Sequence, residues 1–175
     1  MPESSFDRSI AFTIFNEAVE GGLVVSNIPG DKGGETFAGI SRVYWPKWAG
    51  WALLDASEPV DSPRMREAVK DFYYRNFWAP LELGLLPPKI AMQVFDMAVN
   101  SDPRDAVRCL QRAIGTVKVD GSLGKVTKDA LVQIPQTELA IRFNIARARH
   151  FARCKPIFPG WFNRLALLLE KALEE

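Results

Sequence analysis

The chain has 175 residues, 47% of them hydrophobic and 25% charged, with a net charge of +1. This describes a globular protein able to bury a sizeable core, as one domain or two small lobes sharing a core. No apolar run approaches the ~20 residues of a membrane span, which excludes stable insertion by a helix. The single histidine, His150, argues against a histidine zinc site and weakens any Ser-His-Asp proposal.

In chain order, Ser5 is placed to cap a first helix with Asp7 in its opening turn. Ile10, Ile14 and Ala18 form one stripe, with Ala11, Phe15 and Val19 beside it. Gly21-Gly22 stops this helix and leaves Glu20 in its last turn. Pro29-Gly30 and Gly33-Gly34 read as turns. Leu23-Val24-Val25 and Thr36 to Ile40 read as short strands, a small β-hairpin. Ser41 is expected to cap a short helical segment that ends before Pro46.

Helices then dominate. Ser62-Pro63 opens one whose buried stripe is Met65, Ala68, Val69, Phe72 and Phe77. Another follows Pro87-Pro88, with Ile90, Ala91, Val94 and Ala98 inward. Asp102-Pro103 starts a third, carrying Val107, Leu110 and Ile114 and closed by Gly115. A loop over residues 120–124 leads into a helix through about Ile134, and segments 137–154 and 161–173 are two more. The pattern is mainly α with one small β element, divided into a catalytic part, 1–86, and a C-terminal helical part, 87–175.

Charge is unevenly distributed. Residues 1–103 carry 9 Lys/Arg against 14 Asp/Glu, a net of −5, whereas residues 104–164 carry 12 against 4, a net of +8. The basic stretch suits an anionic polymer or surface such as cell wall, lipopolysaccharide or nucleic acid; a solvated helical face accounts for it equally well. Cys109 and Cys154 lack metal-site spacing and read as buried free thiols of a protein made in a reducing compartment.

The candidate chemistry lies between Glu20 and Ile40. A carboxylate in the last turn of a helix meets the negative end of the helix dipole, and neighbours such as Phe15 and Val19 would desolvate it. Both effects favour the protonated form, as a general acid requires. Asp31, between Gly30 and Lys32-Gly33-Gly34, has amides and an ammonium nearby to keep it ionised; as a bland alternative it is a turn former. Glu35 is a second candidate for the ionised partner, or a substrate-binding group in the same loop. Thr36 either orients a water or is simply a strand residue. Two carboxylates held in different ionisation states are what glycosidic hydrolysis needs.

Sugar clefts use flat rings and amides, which points to Tyr74, Trp78 and Asn100 as lining residues; core packing is the competing reading for the rings. Asp96 falls on an apolar helix face and reads as a buried structural hydrogen-bonding residue. Asp120, Gly121, Gly124 and Thr127 read individually as turn and cap residues.

Together, Glu20-Gly21-Gly22 and the run from Pro29 through Asp31, Thr36 and Gly39-Ile40 to Ser41 resemble glycoside hydrolase family 108, muramidases formerly described as secretion activators. The resemblance continues in Tyr73 to Trp78, Phe95 to Ser101, Leu110 to Gly115, Val119 to Thr127 and Gly160 to Arg164. The chain departs from the family pattern at Leu23, Ala38 and His150-Phe151.

The resemblance implies a lysozyme-like, mainly α fold with a small β-hairpin and a C-terminal helical lobe similar to peptidoglycan-binding modules. It implies cleavage of the β-1,4 bond between N-acetylmuramic acid and N-acetylglucosamine, with Glu20 as general acid. A looser similarity to phage-type lysozymes gives Asp31 and Thr36 the water or the cation-like sugar. No metal or cofactor is expected. The partner is peptidoglycan rather than nucleic acid, and the protein is expected to act as a monomer. The first residues lack a basic region followed by an apolar one, so no secretory signal is expected. A phage or prophage endolysin made in the host cytoplasm and reaching the wall through a holin fits these features. A lytic transglycosylase and a non-catalytic wall-binding or secretion-associated protein are the rival readings.

Overall fold

The computed structural model describes residues 4–15, 22–27, 33–154 and 158–174. Two compact units emerge: residues 10–76, and residues 77–175 joined by residues 1–9. The fold is mainly α with one small antiparallel sheet.

The first helix, α1 (Ser5–Ile10), is capped by Ser4 rather than Ser5. The Ser4 hydroxyl accepts from the Asp7 amide at 3.0 Å and donates to the Asp7 carboxylate at 2.6 Å. This reciprocal bonding satisfies an amide the helix leaves orphaned. A π-helical turn, Ala11–Phe15, follows. Its wider winding breaks the expected 3.6-residue stripe: Phe12, Thr13 and Ile14 are buried together and Ala11 is exposed. Ala18 and Val19 lie outside the described residues.

The unit of residues 10–76 holds a three-stranded sheet where the sequence predicts a hairpin. Strand β1 (Val25–Ser26) pairs with β2 (Thr36–Phe37), which pairs with β3 (Ile40–Ser41), all antiparallel. The β2–β3 connection is the two-residue turn Ala38-Gly39, both at positive φ, 48° and 78°. Such a turn matches the right-handed strand twist but costs alanine roughly 1–2 kcal/mol in the left-handed region. The Tyr73 hydroxyl holds it there by donating to the Ala38 carbonyl at 2.7 Å. A β-carbon on Gly39 would sit 2.8 Å from that hydroxyl, so no larger residue fits without displacement.

Ser41 ends β3 and also caps the turn that follows it, accepting from the Tyr44 amide at 3.3 Å through its hydroxyl and from the Trp45 amide at 2.9 Å through its carbonyl. Its hydroxyl donates to the Gly33 carbonyl at 2.6 Å. The expected segment before Pro46 is this single turn, and a further helix, α2 (Ala49–Asp55), follows, anchored by indoles: Trp51 Nε1 donates to the Trp45 carbonyl at 2.9 Å and Trp48 Nε1 to the Ala68 carbonyl at 3.2 Å. The Trp48 ring lies against Gly50, where any β-carbon would collide with it. Helix α3 (Pro63–Tyr73) follows as predicted. Ser62 Oγ accepts from the Met65 amide at 3.2 Å, and Met65, Val69 and Phe72 are buried with Phe37 and Ile40.

The other unit is a helical assembly of α4 (Pro88–Asn100), α5 (Pro103–Ile114), α6 (Lys125–Leu131), α7 (Gln136–Phe151) and α8 (Gly160–Leu173). Its core includes Val94, Phe95, Val107, Leu110, Leu139, Phe143 and Leu168. Asp102 caps α5 through the Arg104 and Asp105 amides, and Gly115 ends it at φ 78°, as predicted. Asp96 is fully buried, in agreement with its reading as structural, and both of its oxygens face arginines. Arg147 Nη1 of α7 lies 2.7 Å from Oδ2, and Arg164 of α8 bonds Oδ1. One carboxylate on α4 thus fixes two neighbouring helices.

The loop before α6 is organised by Gln111. Its side chain donates to Asp120 Oδ1 at 2.8 Å and to the Ser122 carbonyl at 3.0 Å, and accepts from the Gly121 amide at 2.8 Å. Hydrogen bonds from Gln111 and the Ser122 amide hold the Asp120 carboxyl below its ordinary pKa.

Candidate active site

Glu20 and Asp31 lie outside the described residues. The rest of the predicted constellation in residues 10–76 is built around β2. Thr36 opens this strand, opposite Ser26 on one side and Ser41 on the other, half-buried, with its hydroxyl donating to the Gly34 carbonyl at 3.2 Å. Gly34 itself sits at φ 60°, and a β-carbon there would approach Val43 to 3.1 Å. The short segment leading into Thr36 is therefore sterically fixed.

Glu35, immediately before Thr36, is tied to an element that sequence reasoning missed. Its carboxylate oxygen lies 2.6 Å from Arg42 Nε. Arg42 also forms a two-pronged contact with Asp55 of α2, at 2.8 and 3.2 Å, and lies 4.5 Å above the Trp51 ring. The Asp55 hydrogen bond raises the Arg42 pKa, and the same bond lowers that of Asp55. Nothing local in the sequence joins positions 35, 42 and 55; the pairing follows from β3 and α2 folding back over the loop.

Tyr74, directly after the buried Tyr73, is 46% exposed. Trp78 and Asn100 belong to the other unit. Trp78 is only 4% exposed, edge-on to Phe6 and Phe95 at centroid distances of 5.2 and 5.6 Å, so its ring is part of the interior. Asn100 is exposed at the end of α4, its amide donating to the Asp96 carbonyl at 2.8 Å. The structure thus keeps Glu35 and Thr36 at the start of the central strand and leaves Tyr74 and Asn100 at the surface of their own units. Cys109 is buried and Cys154 half-buried, both as free thiols.

The family model described as Glycosyl hydrolase 108 matches residues 15–101. Residues 15–101 belong to the glycosyl hydrolase 108 family. This region is accordingly a glycoside hydrolase domain, and it spans every predicted site residue from Glu20 to Asn100. Among solved structures, Brucella abortus SagA is similar at 22% identity and a TM-score of 0.71, over 97% of this chain and 94% of that chain. At that identity the likeness is one of fold: the mainly helical, lysozyme-like arrangement with a small sheet that the sequence predicts. No curated protein shows a significant sequence match. Among the described residues, no helix is long and apolar enough to cross a membrane.

Proposed function

We propose that the protein is a peptidoglycan hydrolase of the muramidase type, cleaving the β-1,4 bond between N-acetylmuramic acid and N-acetylglucosamine. The observation that carries this reading is the glycosyl hydrolase 108 match over residues 15–101, the stretch containing Glu20, Asp31 and Thr36. Glu20 protonates the departing glycosidic oxygen. Asp31, with Thr36 beside it, positions water or stabilises the oxocarbenium-like state. The engagement of Glu35 by Arg42 supports Asp31 over Glu35 as the carboxylate that serves water, because one already paired with a guanidinium has its oxygens occupied. The surface positions of Tyr74 and Asn100 support saccharide contact by these two. The interior ring of Trp78 lends that residue no such support.

Residues 1–86 carry the chemistry in this reading, and residues 87–175 hold the wall through their positive charge. The biological setting is a phage or prophage endolysin, monomeric, made in the host cytoplasm and admitted to the wall by a holin. No metal or cofactor enters the reaction.

Turbidity of outer-membrane-stripped Gram-negative cells tests the reading. The expected result is clearing by the protein, lost in Glu20→Gln, with reducing muramic ends in the digest by mass spectrometry. Anhydro-muramyl ends would instead identify a lytic transglycosylase, and murein binding without clearing by either protein would identify a non-catalytic wall binder.

A further inference from the structure

A groove of about 390 Å³ lies between the last turn of α5 and α7, within residues 77–175 and beyond the glycosyl hydrolase 108 region. Arg112 of α5, Arg142 and Arg149 of α7, and Arg153 just past the end of α7 line it, together with Ile114 and Ile145. At 100° per residue, positions 142, 145 and 149 fall within one stripe about 60° wide. Arg142 and Arg149 therefore share one face of α7 with Ile145, opposite in character to its buried face, and Arg153 adds to them from the turn that follows.

Compensation of this charge is sparse. Among the described residues the only carboxylate in an ion pair with any of the four is Glu138, 2.5 Å from Arg142 in an exposed i,i+4 pair. Arg153 Nε donates to the Arg149 carbonyl at 2.9 Å, and Arg112 Nη1 reaches the Cys109 sulfur at 3.9 Å; neither contact neutralises charge. About three positive charges thus surround one groove. The carbonyl end of α5 contributes only about half a negative charge, too little to offset them. Ile145, 46% exposed on this face of α7, places an apolar contact beside the guanidinium groups.

The fork of a guanidinium matches phosphoryl oxygens two at a time. Two adjacent phosphoryl groups carry about two to three negative charges near neutral pH, which balances the excess. The groove volume is that of a small discrete ligand, at the low end of the roughly 300–1,000 Å³ usual for such sites. We propose that this groove is a binding site for a diphosphate-bearing ligand with an apolar group next to the phosphates. Arg112, Arg149 and Arg153 hold the phosphoryl oxygens, and Ile114 and Ile145 contact the apolar part. The diphosphate belongs either to a soluble ester or to a lipid headgroup.

Calorimetric titration of the full chain with pyrophosphate, at fixed ionic strength, tests the site without reference to hydrolysis. Sedimentation with phosphatidylcholine vesicles containing diacylglycerol pyrophosphate, whose headgroup carries two adjacent phosphoryl groups, runs in parallel. Saturable one-to-one binding of pyrophosphate is expected, weakened about tenfold or more in the doubly substituted Arg112→Gln, Arg149→Gln protein with its melting temperature unchanged. The charge-preserving Arg112→Lys, Arg149→Lys protein should also bind less well, because lysine lacks the fork. Vesicle binding that pyrophosphate displaces supports the site and names a lipid source; pyrophosphate binding without vesicle binding supports it and names a soluble one. Absence of saturable binding in both arms overturns the proposal. So does equal binding by the glutamine variant, or tighter binding of citrate or duplex DNA at the same ionic strength.

Discussion

Glu20 and Asp31 should separate cleanly from Glu35 by mutation. Glu20→Gln removes the proposed proton donor and is expected to slow cell clearing by about 10²–10⁴-fold. Asp31→Asn should also lose most activity. Glu35→Gln only breaks a partly exposed ion pair with Arg42 and should keep most activity. Equal loss in Asp31→Asn and Glu35→Gln would undo the assignment. Tyr73 gives a second prediction. Burial raises its phenol pKa above the ordinary value near 10. The folded state therefore keeps a proton that the unfolded chain releases, so this contribution to stability is whole below about pH 10 and declines as pH rises beyond it. Tyr73→Phe should show a shallower alkaline decline in urea midpoint, and at neutral pH should lose about 1–3 kcal/mol because the Ala38 carbonyl loses its donor. Single residues whose signal is local were legible: Ser62, Asp102 and Gly115 serve as cap, cap and terminator as read. Arg42 and Arg147 were not, since their partners come from distant parts of the chain.

At the scale of elements, the helices with proline at the first position and a clean apolar stripe were legible, α3, α4 and α5 above all. Helix α2 was not. Its N-terminal flank, Trp48, offers no side-chain cap, its second residue is Gly50, and it is held by indole hydrogen bonds to Trp45 and Ala68 carbonyls. The stripe after Ile10 misled because a π-helical turn shifts the period there. Gly39→Ala is expected to cost about 2 kcal/mol or more, combining left-handed backbone strain with crowding against Tyr73, and thermal unfolding measures it. Asp96→Ala should cost about 3–5 kcal/mol in chemical denaturation, since it leaves the fully buried Arg147 without its carboxylate. Burial already pulls the Arg147 pKa down, with Asp96 opposing that shift, so the variant strands a charge in the interior.

For the whole molecule, the contrast between an acidic stretch to residue 103 and a basic one from 104 to 164 was plain in the sequence, but its local placement was not. Counting charges does not reveal that four of the arginines line one groove, because that depends on how α5 lies along α7. If the basic half holds an anionic wall, binding of Glu20→Gln protein to isolated murein sacculi should weaken markedly between low salt and about 0.5 M, as screening lengths shrink. Binding insensitive to salt would point instead to apolar or saccharide contacts.

The two faces of α7 bear on how the sequence can change in length. Arg147 must turn inward to Asp96 while Arg142 and Arg149 turn outward, and all are set by one helical rotation. One residue inserted near the middle of α7 would turn everything after it by about 100°. Arg147 would swing off its carboxylate and a neighbour would take its place in the core. The same insertion between α6 and α7, at residues 132–135, leaves that rotation intact. Insertions and deletions in this half of the chain should therefore be tolerated in the connection around residues 132–135, and rejected within α7 itself.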